Sequence, residues 1–307
     1  PINSGLSSSS ALIVAWVNFL LVTFTNYKVT PNLLAEISYR IEVEEMGGSG
    51  GKMDQYTIAN GKTIYLDTIT NRIVPFNHKL CDMIIGVSNQ GKDTQGLLKK
   101  LKENALKSIQ IVNNNIKNFS FKNIDNINLD QCLPFLDDHL KPFFRAAVGN
   151  YKITIEAKNE FKKGKLNVKK IADLMNMHHS FLKNDLNITT PEIDKMIDIA
   201  IGNGAIGSKI VGSGGGGSIV CLSEDESFSL KIVNELKKYG VNCIAIMSND
   251  TKNYPEDSFE NMKNFSRENK FSFPYLFDES QDIAKKFGAV CTPDFFGYNS
   301  KNELQYR

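Results

Sequence analysis

The stretch Pro1-Ile2-Asn3-Ser4-Gly5-Leu6-Ser7-Ser8-Ser9-Ser10-Ala11, running straight into the apolar segment Leu12 to Phe24, has the make-up of a phosphate cradle. A glycine and a run of serines just ahead of a helix gather unpaired backbone N–H groups, hydroxyl donors and the positive end of a helix dipole at one spot, which favours an anion. The same residues also make an ordinary serine-rich N-cap, so this segment alone leaves both readings open.

A second glycine-rich stretch lies far downstream, Lys209-Ile210-Val211-Gly212-Ser213-Gly214-Gly215-Gly216-Gly217-Ser218, ahead of the strand-like Ile219-Val220-Cys221-Leu222. Between the two, Gly47-Gly48-Ser49-Gly50-Gly51-Lys52-Met53-Asp54-Gln55-Tyr56 delivers a single carboxylate from a flexible segment. Two better-known glycine motifs fail their context tests. Gly212 to Gly217 can be written G-x-G-x-x-G but precedes a strand where a dinucleotide loop precedes a helix, and Gly50-Gly51-Lys52 is followed by Met53 where a P-loop needs Ser or Thr.

With these three segments the chain resembles the GHMP kinases, the family of galactokinase, homoserine kinase, mevalonate kinase and phosphomevalonate kinase. The first segment matches the P-x-x-x-G-L-S-S-S-A phosphate motif, with Ser10 where Ala is usual, and the last matches K-x-x-G-x-G-G-G-G. The galactokinase branch fits best. Met53-Asp54-Gln55 resembles its M-D-Q segment, Leu174-Met175-Asn176-Met177-His178-His179 its L-M-N-x-x-H helix, and Thr189-Thr190-Pro191-Glu192-Ile193-Asp194 the turn that follows.

The resemblance implies an ATP-dependent sugar kinase with Mg²⁺. It places Gly5, Leu6, Ser7, Ser8, Ser9, Ser10, Gly212, Ser213, Gly214 and Gly215 around the nucleotide, Ser9 and Glu42 on the metal, and Asp54 at the acceptor hydroxyl as the catalytic carboxylate. Phosphoryl transfer has a loose transition state, so an Asp with an ordinary pKa of about 4 suffices. Rival readings stand beside each role: Glu42 as a solvated acid with Glu44 and Glu45, Asp54 as a helix cap, Gly212 to Gly217 as a tight turn. The family motif opens at Pro1, so the resemblance also implies a missing upstream segment, and a nucleotide-binding remnant without turnover is the alternative function. Kinases acting on a heptose phosphate or a uronic acid would carry the same loops.

Composition narrows the partners. Lys+Arg 36 against Asp+Glu 34 leaves +2, which gives no polybasic field for nucleic acid or anionic lipid and favours a small-molecule partner. The cysteines at 81, 132, 221, 243 and 291 contain no C-x-x-C pair, so neither a disulfide framework nor a zinc site is expected, and the cytoplasm is the expected compartment. The segment Ala11 to Phe24 is too short to span a membrane and reads as a buried core helix. His178, His179 and Asp137-Asp138-His139 lack metal-ligand spacing and read as structural.

Periodicity predicts helices over 8–23, 32–45, 96–113, 133–162, 168–183 and 191–201, and strands over 62–67 and 82–87, the second the more deeply buried. Segregated helices and a few non-sequential strands argue α+β in place of a repeating βαβ pattern, and the resemblance implies a two-lobed GHMP kinase fold. Lobes over 1–90 and 91–238 are expected. From 239 to 307 the tail resembles a partial thioredoxin-like, peroxiredoxin-related α/β module, with a strand over 241–247, a helix over 258–269 and a strand from Cys291-Thr292-Pro293 to Tyr298. A thiol oxidoreductase centred on Cys291 is the least favoured function, because the tail lacks a thiol pair.

Overall fold

The computed structural model describes residues 5–48, 50–78, 80–88, 94–117, 119–121, 123, 128–212, 214–238, 245–247, 258–268, 275–278, 281–287, 297–298 and 304–306. The chain begins with α1 (Ser8–Phe24) and α2 (Pro31–Tyr39). Thr30 caps α2 by accepting from Leu33 N, with Pro31 preset for the first turn. The helix then widens into a π-helical turn, Arg40–Glu45, in which Met46 N donates to Ile41 O at 3.0 Å. α3 (Met53–Asn60) follows and closes on Gly61, and β1 (Thr63–Asp67) pairs antiparallel with β2 (Arg72–Phe76). Val14, Val17 and Leu34 form the small core beneath α1 and α2, with Ile37 and Ile58 packed against it.

The second layer is a three-stranded antiparallel sheet ordered β3-β5-β4, from β3 (Asp82–Val87), β4 (Gly207–Ile210) and β5 (Ser218–Ser223). Around it lie α4 (Thr94–Asn115), the short α5 (Leu129–Cys132), α6 (Lys141–Phe161), α7 (Val168–Ser180), α8 (Pro191–Gly202) and α9 (Glu226–Lys237). β5 is buried on both faces. Ile219 and Cys221 cluster with Ile193, Ile197 and Ile232 of α8 and α9, whereas Leu222 clusters with Ile171 and Leu174 of α7, which accounts for its unbroken apolar run. The hairpin β1–β2 joins the two layers: Phe76 stacks on Phe161 of α6 at 5.2 Å, and Lys158 Nζ sits 3.7 Å from the centre of the Tyr65 ring. In the tail, β6 (Ala245–Met247) pairs parallel with β7 (Tyr275–Phe277), with α10 (Phe259–Glu268) between them in the chain, followed by α11 (Asp282–Phe287) and the pair β8 (Gly297–Tyr298) and β9 (Leu304–Tyr306).

Two expectations are corrected, a third holds in part, and one strand is additional. α1 is not a core helix: Leu12, Trp16 and Phe24 are 72%, 59% and 71% exposed, and only Ser10, Val14 and Val17 are buried. The helix expected over 133–162 is split, because Pro142 sets a new start at Lys141 after the turn at Asp137. β3 is the more deeply buried of the two expected strands, with two buried positions where β1 has none, but it alternates, with Ile84 and Gly86 inside and Met83 and Ile85 exposed, because only one of its faces lies on the core. The strand at 72–76, absent from the periodicity reading, tolerates Pro75 because a two-stranded ribbon asks fewer N–H donors of each strand. Of the strand expected over 241–247, residues 241–244 lie outside the described residues, as do 291–296 of the last.

Gly207 is pressed against α7, where an added Cβ would meet Ala172 Cα at 2.8 Å. Gly207→Ala is expected to destabilise the chain by about 1–3 kcal/mol in urea unfolding, and an unchanged midpoint would contradict this packing. Trp16, the chain's single tryptophan, is expected to be readily quenched by acrylamide, and a protected fluorophore would contradict the exposed face of α1.

Candidate active site

Ser7 takes the left-handed conformation at φ 56° immediately before α1, and its side chain makes no capping bond to the helix. Its hydroxyl instead lies near enough to the Asp54 carboxylate to favour that group's charged form. That arrangement is unlike an ordinary N-cap, and it holds a serine in a costly backbone region to aim it across to α3. Gly5, also at positive φ (79°), turns the chain into this position, and Leu6 is half-buried beside it.

Ser9 Oγ donates to Glu42 Oε1 at 2.8 Å, and Gln55 Nε2 donates to Glu42 Oε2 at 2.6 Å. Gln55 Nε2 also lies 3.5 Å from Ser10 Oγ. Three segments remote in sequence thus meet at one carboxylate. Glu42 is half-buried while Glu44 and Glu45 are exposed, which separates it from the solvated acids on the same turn. The π-helical turn carries it inward, a wide turn of the kind often found at functional sites. Gly47 and Gly48 close that turn: Gly48 N donates to Glu42 O at 3.2 Å, and a Cβ on Gly48 would sit 2.6 Å from the same oxygen.

Asp54 lies in the first turn of α3, next to Gln55. Burial raises its pKa above the ordinary value, the Ser7 hydroxyl opposes this, and Glu42 adds to the rise. The N-terminal end of α3 is braced from outside: Lys52 Nζ donates to Asn71 Oδ1 at 2.8 Å and lies over the Tyr39 ring, and Tyr56 Oη donates to Glu36 Oε2 at 2.5 Å.

The glycine-rich loop is built on the other layer. Gly215 N donates to Ile188 O at 2.7 Å, Ser88 N to Gly217 O at 2.7 Å, and a Cβ on Gly214 would lie 2.6 Å from Ile188 O. Gly212, Gly214 and Gly215 all have positive φ, so the loop excludes side chains by conformation, and by space as well at Gly214. Ser213 lies outside the described residues. The hydrogen bonds of the serine–carboxylate cluster run among α1, the π-helical turn after α2, and α3, and those of this loop run to Ile188 and Ser88. His179 Nδ1 accepts from Ile210 N at 3.5 Å, and His178, its pKa pushed down to about 4 by burial, borders a cavity of about 250 Å³ between the β1–β2 hairpin and α6 and α7.

Serine and glutamate oxygens suit a hard cation, and Mg²⁺ commonly takes one or two carboxylates and completes its shell with water and phosphate oxygens. Among the described residues no group of three or more His, Cys, Asp or Glu gathers to hold an ion alone, so the pair Ser9 and Glu42 fits Mg²⁺ delivered with phosphate and does not form a closed protein cage.

Residues 1–62 match the model of the GHMP kinases N terminal domain, and residues 161–242 match GHMP kinases C terminal. Residues 218–307 match the AhpC/TSA family. The crystal structure of Lactococcus lactis galactokinase complexed with galactose superposes with a TM-score of 0.67 at 26% identity, covering 78% of this chain and 64% of that one. The chain has the GHMP kinase fold. Methanococcus jannaschii mevalonate kinase shares that fold at a TM-score of 0.52 and 22% identity, over 78% of this chain and 62% of that one. Among curated proteins, the galactokinase of Streptococcus mutans is 30% identical over 243 residues, 75% of this chain and 61% of its own length. That of Limosilactobacillus reuteri strain DSM 20016 is 27% identical over 243 residues, 76% and 61%. The chain spans about three fifths of the length of the curated relatives it matches.

Sequence reasoning missed one residue of the cluster. Gln55 enters it only as part of M-D-Q, yet the side chain is 2% exposed and joins Glu42 to Ser10. A glutamine next to a candidate catalytic acid, on a helix of otherwise mixed polarity, is the available signal.

A pH test follows from Asp54. Because its folded pKa is raised, the folded state binds the proton more tightly than the unfolded state does. The Asp54 contribution is therefore most favourable below the ordinary value of 3.8, becomes less so as pH rises from there to the folded pKa, and carries its full penalty above it. Asp54→Asn is expected to melt with the natural chain at acid pH and above it at pH 7.5. A lower melting temperature for the variant at pH 7.5 would contradict the buried carboxylate.

Proposed function

We propose that this chain binds ATP with Mg²⁺ and transfers the γ-phosphoryl group to a hydroxyl of a small sugar, as a galactokinase-like GHMP kinase. The observation that carries the reading is the meeting of Ser7 with Asp54 and of Ser9 with Glu42, from segments that the family motif assigns to phosphate, metal and acceptor. Gly5, Leu6, Ser7, Ser8 and Ser10 surround the phosphates with backbone N–H and hydroxyl donors at the positive end of α1. Gly212, Gly214 and Gly215 close on the nucleotide from the other layer.

Ser9 and Glu42 hold Mg²⁺, which when bound neutralises charge on the phosphate oxygens. Asp54 accepts a hydrogen bond from the attacking hydroxyl and takes its proton as the new bond from sugar oxygen to γ-phosphorus forms and the bond from the γ-phosphorus to the bridging oxygen breaks. Positioning and electrostatics carry most of the rate, and the Ser7 hydroxyl holds the Asp54 carboxylate where the acceptor arrives.

The AhpC/TSA match favours thiol chemistry on the tail as a second reading. Within that match Cys221 is unsuited to it, because burial pushes its thiol up to about 11 and Ser208 Oγ lies 3.2 Å away in a closed core. Cys291→Ser, measured for disulfide reduction, tests the remainder. The cysteines, spaced without a C-x-x-C pair, support the cytoplasm as the compartment of this small-molecule chemistry. Among the described residues no helix is long and apolar enough to cross a membrane.

The kinase reading is tested by ADP release across galactose, other hexoses, a heptose phosphate and a uronic acid. Asp54→Asn and Glu42→Gln are each expected to lower kcat/KM for the accepted sugar by about 10²–10⁴-fold. Equal rates for Asp54→Asn and the natural chain would remove Asp54 from the mechanism. Stabilisation by ATP and Mg²⁺ with background ADP production would support a binding protein instead.

A further inference from the structure

Gln55 is buried, and its two amide atoms are treated unequally. Nε2 donates to Glu42 Oε2 at 2.6 Å, while Oε1 is shut away from solvent with no hydrogen-bond partner. The opposite orientation of the amide would press Oε1 against a carboxylate oxygen, two acceptors face to face, so Glu42 dictates which end is left unpaired. One turn before Glu42 on the same helix, the Ser38 hydroxyl is a second fully buried group without a partner. A fold tuned for stability alone would fill position 55 with an apolar side chain of the same volume, since an unsatisfied buried acceptor is costly.

We propose that Gln55 is a positioning residue that holds the Glu42 carboxylate in place for the metal–nucleotide complex at the expense of folding stability. This rests on the reading of Ser9 and Glu42 as the Mg²⁺ pair. Glu42 reaches the site from a π-helical turn whose side chains are otherwise half-buried or exposed, and the buried donor that fixes it comes from α3. Ser9 takes one carboxylate oxygen and Gln55 the other, so the plane of the group is set from two sides. Outer partners of this kind typically change metal affinity by about 10–100-fold when removed.

The experiment measures binding of Mn²⁺·ATP, by Mn²⁺ electron paramagnetic resonance, to the natural full chain, to Gln55→Met and to Gln55→Glu, alongside ligand-free melting temperatures. Gln55→Met is expected to melt at or above the natural chain and to bind Mn²⁺·ATP about tenfold or more weakly. Gln55→Glu adds a third carboxylate to Glu42 and Asp54, the titratable groups at this position, while Lys52 is turned towards Asn71 and Tyr39. It is expected to bind poorly at pH 8. Tight binding by Gln55→Met or by Gln55→Glu, or a markedly lowered melting temperature for Gln55→Met, overturns the proposal. Failure of the natural chain to bind Mn²⁺·ATP overturns the metal reading itself and this inference with it.

Discussion

The Glu42 carboxylate, held between the Ser9 hydroxyl and the Gln55 amide, is the contact on which the rest of the site depends. It ties α1 and α3 to the turn that extends α2, and the apolar core these helices share is small: Val14, Val17 and Leu34 with a rim of partly buried neighbours. Charge-assisted hydrogen bonds at a partly buried carboxylate are stronger and more directional than apolar contacts, so they fix the angle at which the serine run, the acid and the M-D-Q helix meet.

Several local departures from ease converge on that contact. Ser7 sits in the left-handed region, α2 widens into a π-turn just where Glu42 projects, Gln55 leaves an acceptor unpaired, and Asp54 is half-buried next to another acid. Each opposes folding, and each places a donor or acceptor at one locality. Strain and unsatisfied polarity gathered in this way are the physical signature of a site kept for chemistry. The second layer shows the opposite character, with β5 packed on both faces and the glycine loop pinned to Ile188 by a backbone hydrogen bond.

The three loops are legible in the sequence because glycine and serine runs carry strong local meaning, and the helix starts at Thr30-Pro31 and Thr190-Pro191 are legible from their caps. The α+β class follows from segregated helices. What the sequence does not carry is what lies against each face. Hydropathy marks Leu12 to Phe24 as apolar but says nothing about cover: Val14 and Val17 are buried with Leu34, Ile13 and Leu21 pack at the rim of that cluster, and Leu12, Trp16 and Phe24 are left exposed. The break at Pro142 is readable and outweighed by the apolar periodicity around it. The bond from Gln55 to Glu42 and the burial that shifts Asp54 are tertiary facts with no local code, and the π-helical turn leaves only Gly47-Gly48 as a trace.

The central claim, that Ser9 and Glu42 hold the cation of a nucleotide whose outer phosphate faces Asp54, is tested most directly by a crystal structure with Mg²⁺ and a non-hydrolysable ATP analogue. The account predicts Mg²⁺ at about 2.0–2.1 Å from Ser9 Oγ and a Glu42 oxygen, with the terminal phosphate between the Ser7–Ser10 turn and the Asp54 carboxylate. A nucleotide bound with its metal away from both residues, or with Asp54 turned from the terminal phosphate, would contradict it.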